Sequence, residues 1–464
     1  MRRAHRGAAC WIGRPDVSIS TGLDIAARAL LSQQAAVRTI SHNISNATTP
    51  GYSRQRVDLA AMPGGGVDVV DTQRVRDLFL DFQIRGANSG LGDQSARADS
   101  LQRVELALNE PGDTGLRATL SRFFNAWRDL SNNPESSSTR TAVLQAGASV
   151  AVTAQRLYTS FTDLRAESDV RVRQDVAEIN GITTRVANLN EQIARLQATG
   201  DDASDLRDQR DQSMDRLSTL VDVQYQNRDD GRVDVFLGGH PLVQGSNSFA
   251  LTAVNDAGNN NYARLEFADA TVARIDSGEI AGLVYQRDTD LPGRLADLNT
   301  MVGAIIADVN AAHAAAYGRD GVNARNFFSG TDASDIGIDP AVDGNPNAVA
   351  ASSTAAGVPG NGDGAASISD LQYARGLLGA TSSYDEYWTS FISNVGTASS
   401  EAQSLEHSQQ VVVEHIDQLR QATSGVNMDE EMVQLMAYQR AYEAAARLVQ
   451  VVDGMIDTLI NRMA

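Results

Sequence analysis

Two histidines, His407 and His415, lie eight residues apart in a helical stretch, about two turns, where paired imidazoles could begin a metal site. No third ligand is placed beside them. Asp201, Asp202 and Asp205 form an acidic cluster that could hold calcium weakly, but the alternating acid pattern and the glutamate at its twelfth position are missing, and a capped helix start accounts for it. Gly64 to Gly66 follow Pro63 and lead into no phosphate-binding pattern. Gly245-Ser246-Asn247-Ser248 lacks the second glycine of a nucleophile elbow. The single cysteine, Cys10, allows neither an intramolecular disulfide nor a cysteine-based metal site. The expectation is a chain without catalytic residues, metal or cofactor.

With no chemistry to position, the elements themselves carry the reading. A chain of 464 residues can bury several cores. Its net charge of −19 argues against a nucleic-acid or anionic-membrane partner, and no apolar run reaches the roughly 20 residues that cross a bilayer. All 39 basic residues are arginines. The first sixteen residues are basic where the remainder is acidic, so a mis-assigned start is expected, with the native chain beginning at Val17.

Both chain ends read as long amphipathic helices. Ile19, Leu23, Ala26, Leu30, Gln33, Val37, Ile40 and Ile44 alternate spacings of four and three, a heptad seam. Leu435, Tyr442, Val449, Ile456 and Met463 recur every seven residues, with Tyr438, Ala445, Val452 and Leu459 three residues after the first four. Asn427 suits the N-cap of the second helix, and Asp429 to Glu431 suit its positive end. Leu31, Leu448, Val451, Met455 and Ile460 fall off the seam and widen the apolar face beyond what one partner helix covers. Terminal helices of several copies packing together would cover it.

The stretch "SHNISNATTPGYSRQR", residues 41–56, ends the first helix. A residue before proline is driven out of the helical region, so the helix stops before Thr49. Pro50-Gly51 then favours a tight turn, with glycine free to take positive φ. Asn43, Asn46, Thr48 and Thr49 can bond the local backbone and fix the exit. Tyr52, Gln55, Val57 and Leu59 begin an extended segment.

These residues carry a resemblance. "ISHNISNATTPGYSRQRVDL" resembles the N-terminal signature of the bacterial flagellar rod, hook and hook-associated proteins, and "GVNMDEEMVQLMAYQRAYEAAARLVQVVDGMIDTLI" resembles the matching C-terminal signature. Within that family, "RFFNAWRDLSNNPESSSTRTAVLQAGASVA", "SGEIAGLVYQRDTDLPGRLADLN" and "VNAAHAAAYGRDGVNARNFFSG" are similar to the hook-associated proteins of the hook–filament junction. The resemblance implies a secreted, extracellular structural protein of the flagellum. It implies a homo-oligomeric ring of about eleven copies, with the hook protein and a second junction protein as neighbours. It also implies type III export without signal cleavage and a cytoplasmic chaperone on the C-terminal helix. Another axial component, hook or distal rod, is the alternative; it shares the terminal motifs but not the "RDTDLP" segment or a long helix from 137 to 217. Within the resemblance, Ile19, Leu23, Leu30, Val37, Ile40, Ile44, Leu435, Tyr442, Val449, Val452, Ile456 and Leu459 are the assembly seam. Asn43, Asn46, Thr49, Pro50, Gly51 and Tyr52 are the signature turn.

The expected fold is mainly α with a β-rich insert: a terminal coiled-coil domain, a long-helix bundle and a small outer β domain. The terminal domain would take 17–58 with 410–464, and the bundle 59–220 with 291–328 and 367–409. Helices are expected at about 93–110, 114–130, 137–217 (broken near Gly200-Asp201), 291–316, 367–379 and 384–422. Residues 221–290 form the β-rich part. There Val221, Val223 and Tyr225 face Val233, Val235 and Leu237 across Asp230-Gly231, a hairpin pattern. Ala263 to Phe267 reads as a further strand. Residues 329–366, rich in Gly, Ala, Asn, Asp and Ser, read as a flexible surface loop or a reduced outer domain.

Overall fold

A computed structural model describes residues 19–463 except 64, 201 and 376–381, and without the side chains of 19, 459 and 463. The expectation about Val17 therefore lies outside the described residues. The described residues begin with α1 (Ile19–Ser45) and a hairpin, β1 (Gln55–Ala61) with β2 (Val67–Arg74). Helices α2 (Leu78–Leu108), α3 (Leu116–Asn132), α4 (Ser137–Gln197) and α5 (Ser204–Leu220) follow.

The spine is α4, 61 residues and about 90 Å long at 1.5 Å per residue. Ser136 caps its start by accepting from the Thr139 amide. The expected break near Gly200 is present: Gly200 takes φ +88° and Ala203 φ +52°, ending one helix and starting the next.

Two cores lie along this spine. The first half, Val143 to Phe161, packs with Trp127, Phe123 and Phe124 of α3 and with Leu298, Met301 and Ile305 of α7 (Leu291–Ala315). Trp388 and Phe391 of α9 (Tyr384–Ser424) and Ile368 of α8 (Asp363–Asp370) complete it. The second half, Val172 to Ala187, packs with Met214 and Leu217 of α5, Ile280 of α6 (Glu279–Tyr285) and the β-rich part.

That part is an antiparallel sheet of β3 (Val223–Asn227), β4 (Val233–Leu237), β5 (His240–Gln244) and β6 (Asn247–Ser248), followed by the hairpin β7 (Thr252–Asp256) with β8 (Tyr262–Glu266). Tyr225 faces Val235 as the alternation predicts, and Gly231 supplies the positive φ (+76°) of the connecting turn. A π-helical turn at Gln286–Asp290 joins α6 to α7. Helix α10 (Met428–Met463) closes the chain, and Asn427 caps it as expected: its Oδ1 accepts from the Asp429 amide at 3.0 Å.

Three expectations are corrected. Helix α2 starts at Leu78, fifteen residues before the expected 93, because Gly86, Gly90 and Gly92 hide its start from a propensity reading. Gly92 is required by close approach, since a Cβ there would strike the Thr219 carbonyl. Residues 329–366 are not a flexible loop. Strands β10 (Phe328–Ser329) and β11 (Gly337–Ile338) pair, and β12 (Ala350–Ser352) pairs with β9 (Tyr317–Gly318). Ala333, Ile336, Val342 and Val349 sit fully buried in the first core. Buried His313 fixes this segment, its Nδ1 bonded to the Arg325 carbonyl at 2.8 Å and its Nε2 accepting the Ala350 amide at 2.9 Å. Isolated apolar anchors on tight turns leave no period to read. In place of a helix over 367–379, α8 ends at Asp370, and part of the expected range lies outside the described residues.

One buried acid on the spine lacks a counter-ion. Asp175 is 8% exposed, and its Oδ2 has no hydrogen-bond partner. Burial, reinforced by Glu279 and Glu178 against Arg171 and Arg216, pushes its carboxyl up to about 7. A raised acid stabilises the fold below its unfolded value near 4, and that contribution is lost as pH rises through 7. Asp175→Asn is therefore expected to stabilise the protein by about 3–4 kcal/mol at pH 8 and to be near neutral at pH 4. Thermal unfolding at the two pH values checks it; equal effects at both would count against the assignment.

Candidate functional site

Where α1 and α10 meet the body, three signature features converge. Thr49-Pro50-Gly51-Tyr52 is a type II turn closed by the Tyr52 amide on the Thr49 carbonyl at 3.2 Å, with Gly51 at φ +75°. Thr49 Oγ1 donates to Asn46 Oδ1 at 3.2 Å, and Asn46 Nδ2 donates to the His42 carbonyl at 3.0 Å. A Cβ on Gly51 would strike the side chain of Gln212, whose Nε2 donates to the Pro50 carbonyl at 2.5 Å.

Asn43 is the hub. It is 1% exposed and uses all four of its bonding positions. Its Nδ2 donates to the Gln55 carbonyl and to Glu431 Oε2, both at 2.9 Å. Its Oδ1 accepts the Gln55 amide at 2.9 Å and the Tyr52 hydroxyl at 2.8 Å. One amide thus ties the end of α1, the start of β1 and the first turn of α10. Glu431 is itself buried. Burial, then Asp205, Asp208 and Glu431, push the Tyr52 phenol up, so it stays protonated and donating.

Below the hub lies an arginine–aspartate lattice. Asp208, Asp211 and Asp215 are spaced three and four apart, which puts three carboxylates on one face of α5. Ser53 donates to Asp208 through its amide (3.0 Å) and its hydroxyl (2.8 Å). Arg74 of β2 bridges Asp208 at 2.7 Å and Asp211 at 2.8 Å. Arg76 forks onto Asp81 of α2 at 2.6 and 2.9 Å and reaches Asp211 at 3.1 Å. Arg85 spans Asp215 at 2.8 Å and Asp211 at 3.3 Å. Arg420 of α9 meets Asp215 at 2.7 Å. Burial alone would push the Asp211 carboxyl up, but Arg76, Arg74, Arg85 and Arg210 outweigh it and hold it well below the carboxylate range. The same acids hold the Arg76 and Arg85 guanidiniums above their ordinary value against burial. The Arg54 amide, bonded to the Ser424 carbonyl at 2.8 Å, completes the link to the end of α9. The lattice joins the turn before β1 with β2, α2, α5 and α9.

The seam residues line the paired helices α1 and α10. Ala26, Ile40 and Val452 of the seam are buried, as is Ala36 beside it. Leu30, Val37, Ile44, Leu435, Val449 and Ile456 are half-buried, Leu23 and Tyr442 are exposed, and the side chains of Ile19 and Leu459 lie outside the described residues. Off the seam, Leu31, Leu448, Val451, Met455 and Ile460 are 46–64% exposed after the two helices have paired.

Of the residues first considered for chemistry, Asp205 alone among the described residues borders the hub. His407 and His415 stand exposed on α9. Asp202 pairs with Arg207 at 3.4 Å, Asp205 accepts from Gln55 at 3.0 Å, and Asp201 lies outside the described residues. Gly245 turns between β5 and β6, its amide held by Asp234 at 2.7 Å. Reasoning from sequence missed Glu431's link to Asn43 and the whole lattice. The spacing of the three α5 aspartates was the signal that could have pointed to it.

Comparison with known proteins gives a consistent result. Residues 101–328 match the profile described as the flagellar hook-associated protein FlgK helical domain. Residues 418–463 match that of the flagellar basal body rod FlgEFG protein C-terminal, and residues 23–52 that of flagella basal body rod proteins. Flagellar hook-associated protein 1 of Bacillus subtilis is 29% identical, over 95% of this chain and 98% of its own length. Its namesake from Salmonella typhimurium is 25% identical, over 96% and 100%. A solved flagellar hook junction protein from Burkholderia pseudomallei shares the fold at TM-score 0.64 and 16% identity, covering 74% of this chain and all of that one.

Proposed function

Because the chain belongs to the flagellar hook-associated proteins, a family of structural axial components rather than enzymes, we propose that it forms the junction ring between hook and filament. Terminal helices of neighbouring copies, about eleven in a closed ring, pack into an inner tube, and the β-rich part faces outward. Hook protein and a second junction protein are its axial neighbours. The chain is exported through the flagellar type III apparatus, and a cytoplasmic chaperone covers the C-terminal helix before export. Residues 17–58 with 410–464 act as the assembling unit, and 59–409 as the body that the signature turn orients.

The observation that carries this reading is the apolar surface left on α1 and α10 after they have paired. Five large side chains, from Leu31 to Ile460, are about half exposed or more on helices that already have a partner. An apolar face that wide marks a contact with further chains. Electron microscopy of hook tips tests the reading: a strain lacking this chain should carry hooks without filaments, and retained filaments would refute it.

The turn gives a finer test. Gly51→Val places a β-branched residue at positive φ and against Gln212, which moves the entry of α1 into the body. Export should stay intact while filaments detach under shear. Filaments that survive shear as in the parent would show that the turn does not set the joint.

A further inference from the structure

The first two turns of α2 present an exposed aromatic knob, of which only Phe82 has a ring neighbour among the described residues, Tyr225 at 6.4 Å. Leu78, Phe79 and Phe82 are 64%, 65% and 65% exposed, on a helix start held rigidly by the Asp77 cap and by Arg76 on Asp81. From Leu78 to Gly92 the only charged residues are Asp81 and Arg85, and both are buried in the lattice. Past the capping Asp77, the helix therefore exposes no charge as far as Gly92, on a chain of net charge −19. Copies of so acidic a chain repel one another, and they approach at least cost through a face that carries no charge.

A second apolar stripe runs along α9, a helix that also bears Glu401, Glu406 and Glu414. Leu405, Val412 and Leu419 recur at seven-residue spacing and are 43–45% exposed, on the flank of a helix whose other face packs against α2. The spacing is that of a seam waiting for a partner. Leu419 precedes Arg420, which reaches both Asp215 and Asp81, so the stripe ends at the level of the knob. Below it the apolar surface continues on α10 with Met428, Met432 and Met436, all exposed.

We infer that the Leu78-Phe79-Phe82 knob of one copy docks on the Leu405-Val412-Leu419 stripe of the next copy around the ring. The two surfaces differ, so the contact is head-to-tail, the type that closes into rings. At about 200 Å² per aromatic side chain, the knob exposes on the order of 350 Å² of apolar area. That falls well short of the roughly 1,200 Å² a stable pair needs. The contact therefore does not hold two free chains together, and it engages only where the terminal helices contribute the remainder. This inference rests on the junction-ring reading and names a body-level contact within it.

The test uses assembled flagella. With p-benzoylphenylalanine in place of Phe82, irradiation should yield a product of twice the 49.5 kDa chain mass. It should hold only peptides of this chain, with the second site inside 384–424. A product containing a different protein, or no product on cells with attached filaments, overturns the inference. A second variant needs no label. Leu78→Ser with Phe79→Ser should unfold and be secreted like the parent, because both side chains are exposed, yet leave about tenfold fewer filaments per cell. An unchanged filament count overturns it. Should a strain lacking the chain keep its filaments, the junction reading itself fails. Should that strain lose them while Phe82 joins no second copy, only this contact fails.

Discussion

Asp211→Ala is expected to destabilise the body by about 3–5 kcal/mol at pH 7, the usual cost of breaking a buried ion pair from one side. The variant leaves Arg74, Arg76 and Arg85 in place and removes the one carboxylate that all three reach. Buried guanidiniums cannot shed their charge, so the loss falls on folding. The pH dependence carries the diagnosis. Asp211 is held below the ordinary carboxylate value, so its contribution is present above about pH 4 and is lost as pH falls below that. The gap between parent and variant, read by chemical denaturation, should therefore narrow in acid. A loss under 1 kcal/mol, or a gap of equal size at pH 3.5 and pH 7, would mean that the lattice shares its charge too broadly for Asp211 to matter.

Asn43→Asp should act in the opposite pH direction. It changes no volume, but sets a carboxylate beside buried Glu431 Oε2, where the amide now donates at 2.9 Å. It also turns the donor to the Gln55 carbonyl into an acceptor. Two carboxylates at hydrogen-bond distance cannot both stay ionised without cost, and one takes up a proton at raised pKa. The pair is then most stable below the unfolded value near 4 and weakens as pH rises through the raised one. We expect about 3 kcal/mol of local loss at pH 7.5, roughly a hundredfold faster amide exchange in α1 and the first turns of α10, recovering toward pH 4.5. Exchange at Trp127 and its neighbours in the first core should not change. If α1 exchanges like the parent at pH 7.5, Asn43 does not hold the chain ends to the body.

Some of this architecture was readable from residue order. The end helices were legible because their apolar spacing persists for many turns, and Pro50-Gly51 marks an end with a steric cause. Asp230-Gly231 between alternating strands was equally plain. The start of α2 was not, because Gly92 serves a backbone contact with α5 that no local pattern reports. Residues 329–366 misled for a related reason: their composition is that of a loop, while single side chains such as Ile336 and Val349 anchor them in a core built elsewhere. The lattice stayed hidden because its arginines and aspartates come from four separate elements and the link before α2. Charge alone does not say which acid an arginine will meet. Only the three-and-four spacing on α5 was local, and a spacing of carboxylates suggests a face without naming its partners.

The Asn43–Glu431 bond spans 388 residues of chain, and that separation has a kinetic meaning. Closing a loop of that length costs about 5 kcal/mol of chain entropy, far more than one hydrogen bond returns. The joint cannot nucleate folding and must wait until the body has shortened the distance between the two ends. A chain that emerges unfolded would thus complete its spine and both cores while its ends are still unpaired. The order of events places the adhesive helices last, so the surfaces that bind other copies mature only on a body already formed.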